Sequence, residues 1–135
     1  MMQFENGNLT KEQLDSLLNT LPVEITFIDD QDTVRYFNKP QKIIFVRTKA
    51  IIGRKVQNCH PAQSIDTVNR IVESFKSGKK DTAEFWINMA GRVVYIRFFA
   101  VRDSQGKYLG TIEVVQDVTD IQKLQGEKRL LDWRQ

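Results

Sequence analysis

Three strand-like patterns follow one another in the second half of the chain, and only short turns separate them. The first, Ala83–Met89, is joined to the second, Arg92–Arg102, by Ala90-Gly91, a pair typical of a hairpin turn. A polar turn over 103–106 then leads into the third, Lys107–Gln116. Strands joined by such short turns pair in antiparallel fashion, because a parallel crossover needs about a dozen residues or more. The pattern therefore predicts an antiparallel sheet.

The middle strand indicates which face of this sheet is buried. One set of its alternate side chains is wholly apolar: Val94, Ile96, Phe98 and Ala100. The other set is amphipathic: Val93, Tyr95, Arg97, Phe99 and Val101. We expect the first face to lie against the core, and the second to be covered by a helix or a partner.

The first half of the chain predicts a second hairpin and two helices. Val23–Ile28 and Val34–Phe37 have strand patterns. Thr10 and Gln13 form a capping box before a leucine stripe, and Ile65–Ser77 has one apolar face. The predicted fold class is α+β: a five-stranded antiparallel sheet with helices on one face, plus flanking N- and C-terminal helices. The predicted boundaries are a flanking helix over 1–21, the central domain over 22–118 and a C-terminal helix over 119–135.

Composition restricts the class of protein. The 135 residues fit one soluble domain, and no apolar run approaches the roughly 20 residues that span a bilayer. We expect no membrane segment, and the net charge of +3 is too scattered to indicate nucleic-acid binding. A single cysteine excludes an internal disulfide and a Cys-rich metal site, which favours the reducing cytoplasm.

Catalytic motifs are not evident, so we predict that the protein is not an enzyme. His60 is the only histidine, and its neighbour Cys59 is the only cysteine. Adjacent residues of an extended segment usually point apart, whereas a nucleophile and its base must lie within hydrogen-bonding distance. The chain also has no Gly-rich phosphate loop and no kinase motif.

Five local motifs, in this order, resemble the PAS domain, a family of small sensor and interaction modules. They are Phe27–Asp30, Val34–Asn38, Ile51–Arg54, His60-Pro61 and Gly106–Thr119. The resemblance is greatest to the C-terminal PAS module of some bacterial and archaeal proteins that also carry a hemerythrin-like domain. It implies a PAS-like fold, and a hemerythrin-like or other signalling domain as a partner.

The resemblance also implies a signal junction at the end of the closing strand. Asp117 and Thr119 stand where the family has its Asp-x-Thr signature. Either side chain is suited to cap an outgoing helix, and such a cap makes the helix direction depend on sheet geometry. We therefore interpret 119–135 as an output helix.

A PAS-like interior implies a pocket for a small hydrophobic or aromatic ligand. The residues predicted to contribute are Phe45, Cys59, His60, Ile71, Phe75, Ile96 and Phe98. Haem is a further hypothesis, with His60 as its axial ligand and as the chain's one metal ligand. A flavin is not expected, because the spacing from Gly53 to Cys59 does not match light-sensing members. Otherwise Cys59 is a small buried hydrophobe and His60 is a loop residue bonded to backbone.

Two predictions concern the sheet surfaces. Alternation along the closing strand places Glu113 toward solvent; a buried Glu113 would need a partner such as Arg97. The residues predicted for the outer face or a homodimer are Leu14, Leu17, Leu18, Trp86 and Phe99.

Three functions are compatible with the sequence. The first is a non-catalytic PAS-type module that binds a small ligand, forms a homodimer and relays a signal. The second is a haem-binding redox or gas sensor that uses His60. The third is a purely structural dimerisation domain whose interior is filled by Phe and Ile side chains.

Overall fold

The structure of the protein is a computed structural model, and it describes residues 1–134. A small N-terminal hairpin is followed by a helix, two strands, a second helix and three strands. The elements are β1 (Met2–Phe4), β2 (Gly7–Leu9), α1 (Lys11–Thr20), β3 (Glu24–Asp29), β4 (Val34–Phe37), α2 (Ala62–Lys76), β5 (Thr82–Met89), β6 (Arg92–Arg102) and β7 (Tyr108–Asp117). Short 3₁₀ turns lie at Lys49–Ile51, Val56–Cys59 and Ile121–Lys123. The hairpin of β1 and β2 was not predicted.

Five of the strands form one antiparallel sheet in the order β4-β3-β7-β6-β5. The two predicted hairpins therefore lie on either side of the closing strand β7, which is the central strand of the sheet. Gly110 permits β7 to approach β3 closely, because a Cβ there would lie 2.1 Å from the Ile28 carbonyl oxygen. The α+β class and the five-stranded antiparallel sheet are confirmed.

The hydrophobic core lies between the sheet and α2. Val68 and Val72 of α2 pack with Ile28 of β3 and Val34 of β4. Phe75, on the last turn of α2, is 1% exposed. Full burial of side chains of this kind stabilises a fold by about 1.5–3 kcal/mol each. This packing holds α2 across one face of the sheet.

Asn38 attaches α1 to the sheet. Its side-chain amide donates to the carbonyls of Leu18, 2.8 Å away, and Val23, 2.9 Å away, and its oxygen accepts from the Ile25 amide. The capping box of Thr10 and Gln13 begins α1 as predicted. No residue of α1 is buried, and the hydrogen bond from Asn38 to the Leu18 carbonyl joins its C-terminal part to the sheet.

The predicted C-terminal helix over 119–135 is wrong for the residues that the structure describes, and Gln135 lies outside them. The 3₁₀ turn Ile121–Lys123 is the only helical piece found between residues 119 and 134. Leu124 and Leu130 are 76% and 84% exposed, so the segment has no surface to pack against. Isolated helices shorter than about 12–15 residues are marginal in water, and Gly126 weakens this one further.

The predicted orientation of Glu113 toward solvent is also wrong, because the side chains of β7 alternate in the opposite sense and Glu113 lies on the inner face of the sheet. Thr111 and Val115, on the same face as Glu113, are 4% and 1% exposed. The pairing of β6 with β7 shifts register between Val101 and Arg102, so Leu109 is an extra residue on β7. Such a bulge interrupts the alternation of side chains, and a pattern started at Tyr108 assigns the wrong face beyond it.

Candidate functional site

A cavity of about 760 Å³ lies between the sheet and α2. Thirteen of its twenty lining residues are apolar, which makes it suitable for an apolar molecule. Six of the seven residues predicted for the pocket line it: Phe45, Cys59, His60, Ile71, Ile96 and Phe98. Phe75 does not line the cavity, although its side chain is buried.

Three parts of the fold build the cavity wall. The sheet presents Thr26, Ile96 and Phe98 from three different positions on its inner face. The apolar face of α2 presents Val68, Ile71 and Val72. The segment between β4 and α2 closes the remaining side with Phe45–Thr48, Ile51, Val56, Cys59 and His60.

A charged cluster, Glu24–Arg47–Glu113, lies at one side of the cavity. Arg47 Nη1 is 3.2 Å from Glu24 Oε1, and Arg47 Nη2 is 2.6 Å from Glu113 Oε1. The side chains of Glu24, Arg47 and Glu113 are 5%, 17% and 21% exposed. A charge this far from water requires a partner, and each member of the cluster has one.

Backbone groups complete the environment of Glu24. The amides of Ile44 and Phe45 donate to its carboxylate over 2.6 and 3.0 Å. Glu24 thereby fixes the path of the irregular segment that follows β4, in addition to holding Arg47. Sequence reasoning missed Glu24 and Arg47; the available signal was a carboxylate within the apolar strand pattern Val23–Ile28.

Glu113 lines the cavity and pairs with Arg47 rather than with Arg97, the partner considered from sequence. Arg97 projects from the other face of the sheet, where its guanidinium lies 4.7 Å from the Tyr95 ring centre and 5.5 Å from that of Phe99. The bulge on β7 explains why the observed partner differs from the predicted one, because it places Glu113 on the inner face of the sheet.

His60 lies at the cavity wall and is held by backbone. Its Nδ1 is 2.9 Å from the Val56 carbonyl oxygen, an atom that only accepts, so Nδ1 carries the proton. This tautomer leaves Nε2 with the lone pair. Cys59 Sγ contacts the Lys55 carbonyl, also within the turn before α2. Among residues 1–134, no group of three or more His, Cys, Asp or Glu side chains is arranged to hold a metal ion.

The end of β7 is tied to the beginning of β6 by a compact hydrogen-bonded turn. Asp117 Oδ1 accepts from the Thr119 amide and hydroxyl, and the Thr119 hydroxyl accepts from the Val93 amide over 2.8 Å. Arg92 Nε donates to Asp117 Oδ2 over 2.8 Å. We name Arg92, Asp117 and Thr119 the exit cluster.

These contacts lower the pKa of Asp117 well below its usual range, first through the hydrogen bond from Arg92 and then through those from Thr119. The predicted capping of a helix by Asp117 or Thr119 is wrong. Asp120 precedes the 3₁₀ turn and makes no side-chain cap, while Asp117 and Thr119 bond to each other and to β6. The exit cluster fixes where the chain leaves the sheet.

The outer face of the sheet carries aromatic residues in partial exposure. Trp86 is 67% exposed and makes an edge-on contact with Tyr95. Phe99 lies on the same face, and its ring contacts the guanidinium of Arg97. Leu14 and Leu18 of α1 are half-buried and Leu17 is 47% exposed, so part of the leucine stripe that these three residues form is exposed to solvent.

Within residues 1–134, neither α-helix has the length and apolar character needed to cross a membrane.

A family model described as a PAS domain matches residues 14–119. The C-terminal domain of a protein from Streptococcus mutans is similar, with 36% identity and a TM-score of 0.86 over 92% of this chain and 96% of that one. A PAS domain from Colwellia psychrerythraea is 15% identical, with a TM-score of 0.57 over 81% and 97% of the two chains. Among curated proteins, none matches this chain.

A sensory box sensor histidine kinase from Vibrio cholerae is also similar, with 15% identity and a TM-score of 0.55 over 78% of this chain and 89% of that one. At this identity the likeness concerns the fold alone. The family match, by contrast, includes the cavity-lining elements and extends through the exit cluster to Thr119. On the family match and the Streptococcus mutans domain together, the chain belongs to the PAS domain family.

Proposed function

We propose that this PAS domain is a non-catalytic sensory module that binds a small, largely apolar ligand. Binding would change the structure of the exit cluster, and that change would be passed to a signalling partner. The cavity carries the proposal. Protein interiors are normally close-packed, with few voids larger than a water molecule, whereas this one holds about 760 Å³. Small-molecule sites typically enclose roughly 300–1,000 Å³.

Strand β7 supplies a direct route from the cavity to the exit. Glu113 lines the cavity, and Asp117 stands four residues later on the same strand. At about 3.3 Å per residue these two positions are about 13 Å apart. A ligand that moves Glu113 or its neighbours would shift β7 along its length, and the exit cluster would transmit that shift.

Native mass spectrometry of the purified protein, with a visible spectrum, is the direct test. We expect either a retained small molecule or binding of added apolar compounds at one site per chain. Ile71→Phe, which places a larger side chain on the cavity wall at α2, should weaken binding. Ile121→Phe, the same change at a half-exposed position outside the cavity, should leave it intact. Binding that survives Ile71→Phe unchanged would place the ligand elsewhere.

Haem is the second candidate, and the position of His60 favours it. A histidine whose Nδ1 donates to a backbone carbonyl keeps Nε2 available as an axial ligand. The propionate groups of haem fit less well, because Arg47 is the only lysine or arginine of residues 1–134 that lines the cavity, and it already pairs with two carboxylates. A Soret band lost in His60→Ala would establish this function, and a colourless protein without haem uptake would exclude it.

The exposed outer face supports the proposal of a homodimer, through Trp86, Phe99 and the leucine stripe of α1. Trp86→Ala should then weaken self-association in analytical ultracentrifugation. Trp133→Ala is the matched control, since Trp133 is 80% exposed in the C-terminal segment. Dimers with no bound molecule under any condition would instead favour the purely structural role.

We infer a cytoplasmic location, which suits the single free cysteine. We also propose a separate signalling domain, hemerythrin-like or of another kind, as the partner that receives the change at the exit cluster. Co-purification of such a domain with the wild-type chain, and its loss in Asp117→Ala, would support this pairing.

A further inference from the structure

The charged side of the cavity has an unbalanced formal charge. Glu24 and Glu113 contribute two negative charges and Arg47 contributes one positive charge, so the cluster carries one net negative charge. Arg47 and Glu113 line the cavity and Glu24 does not, and no other lysine, arginine, aspartate or glutamate of residues 1–134 lines it. In a largely apolar space this charge is poorly screened, and it attracts cations and repels anions.

The acceptor groups of the cluster are not equally occupied. Both oxygens of Glu24 accept hydrogen bonds, from the Ile44 and Phe45 amides and from Arg47. Glu113 accepts from Arg47 through Oε1, and the described residues supply no donor to its Oε2. The free acceptor therefore belongs to Glu113, the carboxylate that lines the cavity.

A second unpaired polar group lies beside Glu113. Thr26 of β3 is its direct neighbour across the sheet in the pairing with β7. The Thr26 hydroxyl oxygen is buried and has no hydrogen-bond partner among the described residues. Buried polar groups are normally paired, so an unpaired hydroxyl in a cavity wall is available to the polar group of a bound ligand.

We propose that the ligand has an apolar body and a cationic, hydrogen-bond-donating nitrogen as its head group, with the head group bound by Glu113 and Thr26. This inference rests on the proposed function, that the cavity binds a small molecule. The body lies against Val68, Ile71 and Phe98, and the head donates to Glu113 Oε2 and contacts the Thr26 hydroxyl. Molecules that end in a carboxylate should bind more weakly, because the cluster carries a net negative charge.

Three probes with one body and three head groups test the inference: para-butylbenzylamine, para-butylbenzyl alcohol and para-butylbenzoate. We measure their dissociation constants by isothermal titration calorimetry at neutral pH. The amine should bind at least about tenfold more tightly than the benzoate, as expected for one charge-assisted hydrogen bond. Glu113→Gln removes the charge and keeps the size, so it should abolish the preference. Glu127→Gln, at a carboxylate that is 68% exposed, should preserve it.

The outcomes separate this inference from the proposed function. Benzoate binding as tight as amine binding, or an unchanged preference in Glu113→Gln, would overturn the head-group assignment while the ligand-binding function stands. Failure of all three probes to bind up to their solubility limits would count against ligand binding in this cavity, and the assignment would fall with it. A preference that disappears in Glu113→Gln and persists in Glu127→Gln supports both.

Discussion

Strand β7 carries two arginine–carboxylate contacts that differ in their surroundings. At the cavity, Arg47 and Glu113 are 17% and 21% exposed and share the site with the buried Glu24. At the exit, Arg92 and Asp117 are 46% and 31% exposed, and Thr119 joins them. The first contact pairs charges inside the domain, where an unpaired charge is costly, and the second fixes a turn at its surface. The same pair of chemical groups therefore lies at the wall of the cavity in one place and holds a surface turn in the other.

The largest expected difference between the two contacts concerns stability. Arg47→Met leaves two carboxylates without their cation in the interior and should lower the free energy of unfolding by about 3 kcal/mol. Arg92→Met removes a solvent-screened partner and should change the urea midpoint far less. Urea denaturation of both variants checks the comparison. An equal loss in both would mean that burial does not distinguish them.

A gain in stability is expected from the unpaired hydroxyl beside Glu113. Thr26→Val keeps the shape of the side chain and removes a buried polar atom without a partner, so it should stabilise the protein by about 1 kcal/mol. Thr82→Val, at an exposed position of β5, is the control and should be close to neutral. Destabilisation by Thr26→Val in urea denaturation would show that the hydroxyl is paired in the free protein.

At the exit the expected effects are local. Asp117→Ala removes the acceptor for the Thr119 amide and hydroxyl, which also frees the hydroxyl that receives the Val93 amide. Hydrogen exchange at Val93 and Thr119 should become severalfold faster while the amide of Phe27, in the sheet, is unchanged. The control Asp132→Ala should alter neither. Unchanged exchange at both amides in Asp117→Ala would contradict the role of the exit cluster.

The smallest expected effect is the pH dependence of the exit cluster. Because the pKa of Asp117 is lower in the folded protein, its contribution to stability is present above its ordinary value of 3.8 and is lost as the pH falls below it. The difference in unfolding midpoint between wild type and Asp117→Asn should be constant above about pH 5 and shrink toward acid. A difference that grows below pH 3.8 would reverse the sign and refute the assignment.

Local patterns predicted most of the fold. The capping box of α1, the apolar face of α2 and the hairpins around Asp29–Asp32 and Ala90-Gly91 are short-range signals, and the structure follows them. The C-terminal helix was mispredicted because its stability depends on packing that residues 119–134 do not have. The family match confirms the resemblance to the PAS domain.

The candidate site was predicted only in its apolar part. Phe98 and Ile96 follow from the alternation of β6, but the charged cluster joins residues that are far apart in sequence. Arg47 lies in an irregular segment 23 residues after Glu24 and 66 before Glu113, and neither spacing has a periodic signature. The bulge at Leu109 is likewise set by pairing between strands, so the face of Glu113 could not be obtained from β7 alone.

Coupling between the cavity and the exit is the central claim, and hydrogen exchange during ligand binding tests it most directly. Para-butylbenzylamine, added to saturation, should change the exchange rates of the Val93 and Thr119 amides severalfold in the wild-type protein. In Asp117→Ala, which keeps the cavity, binding should persist while these amides no longer respond. Saturating binding in the wild type with unchanged exchange at Val93 and Thr119 would contradict the account.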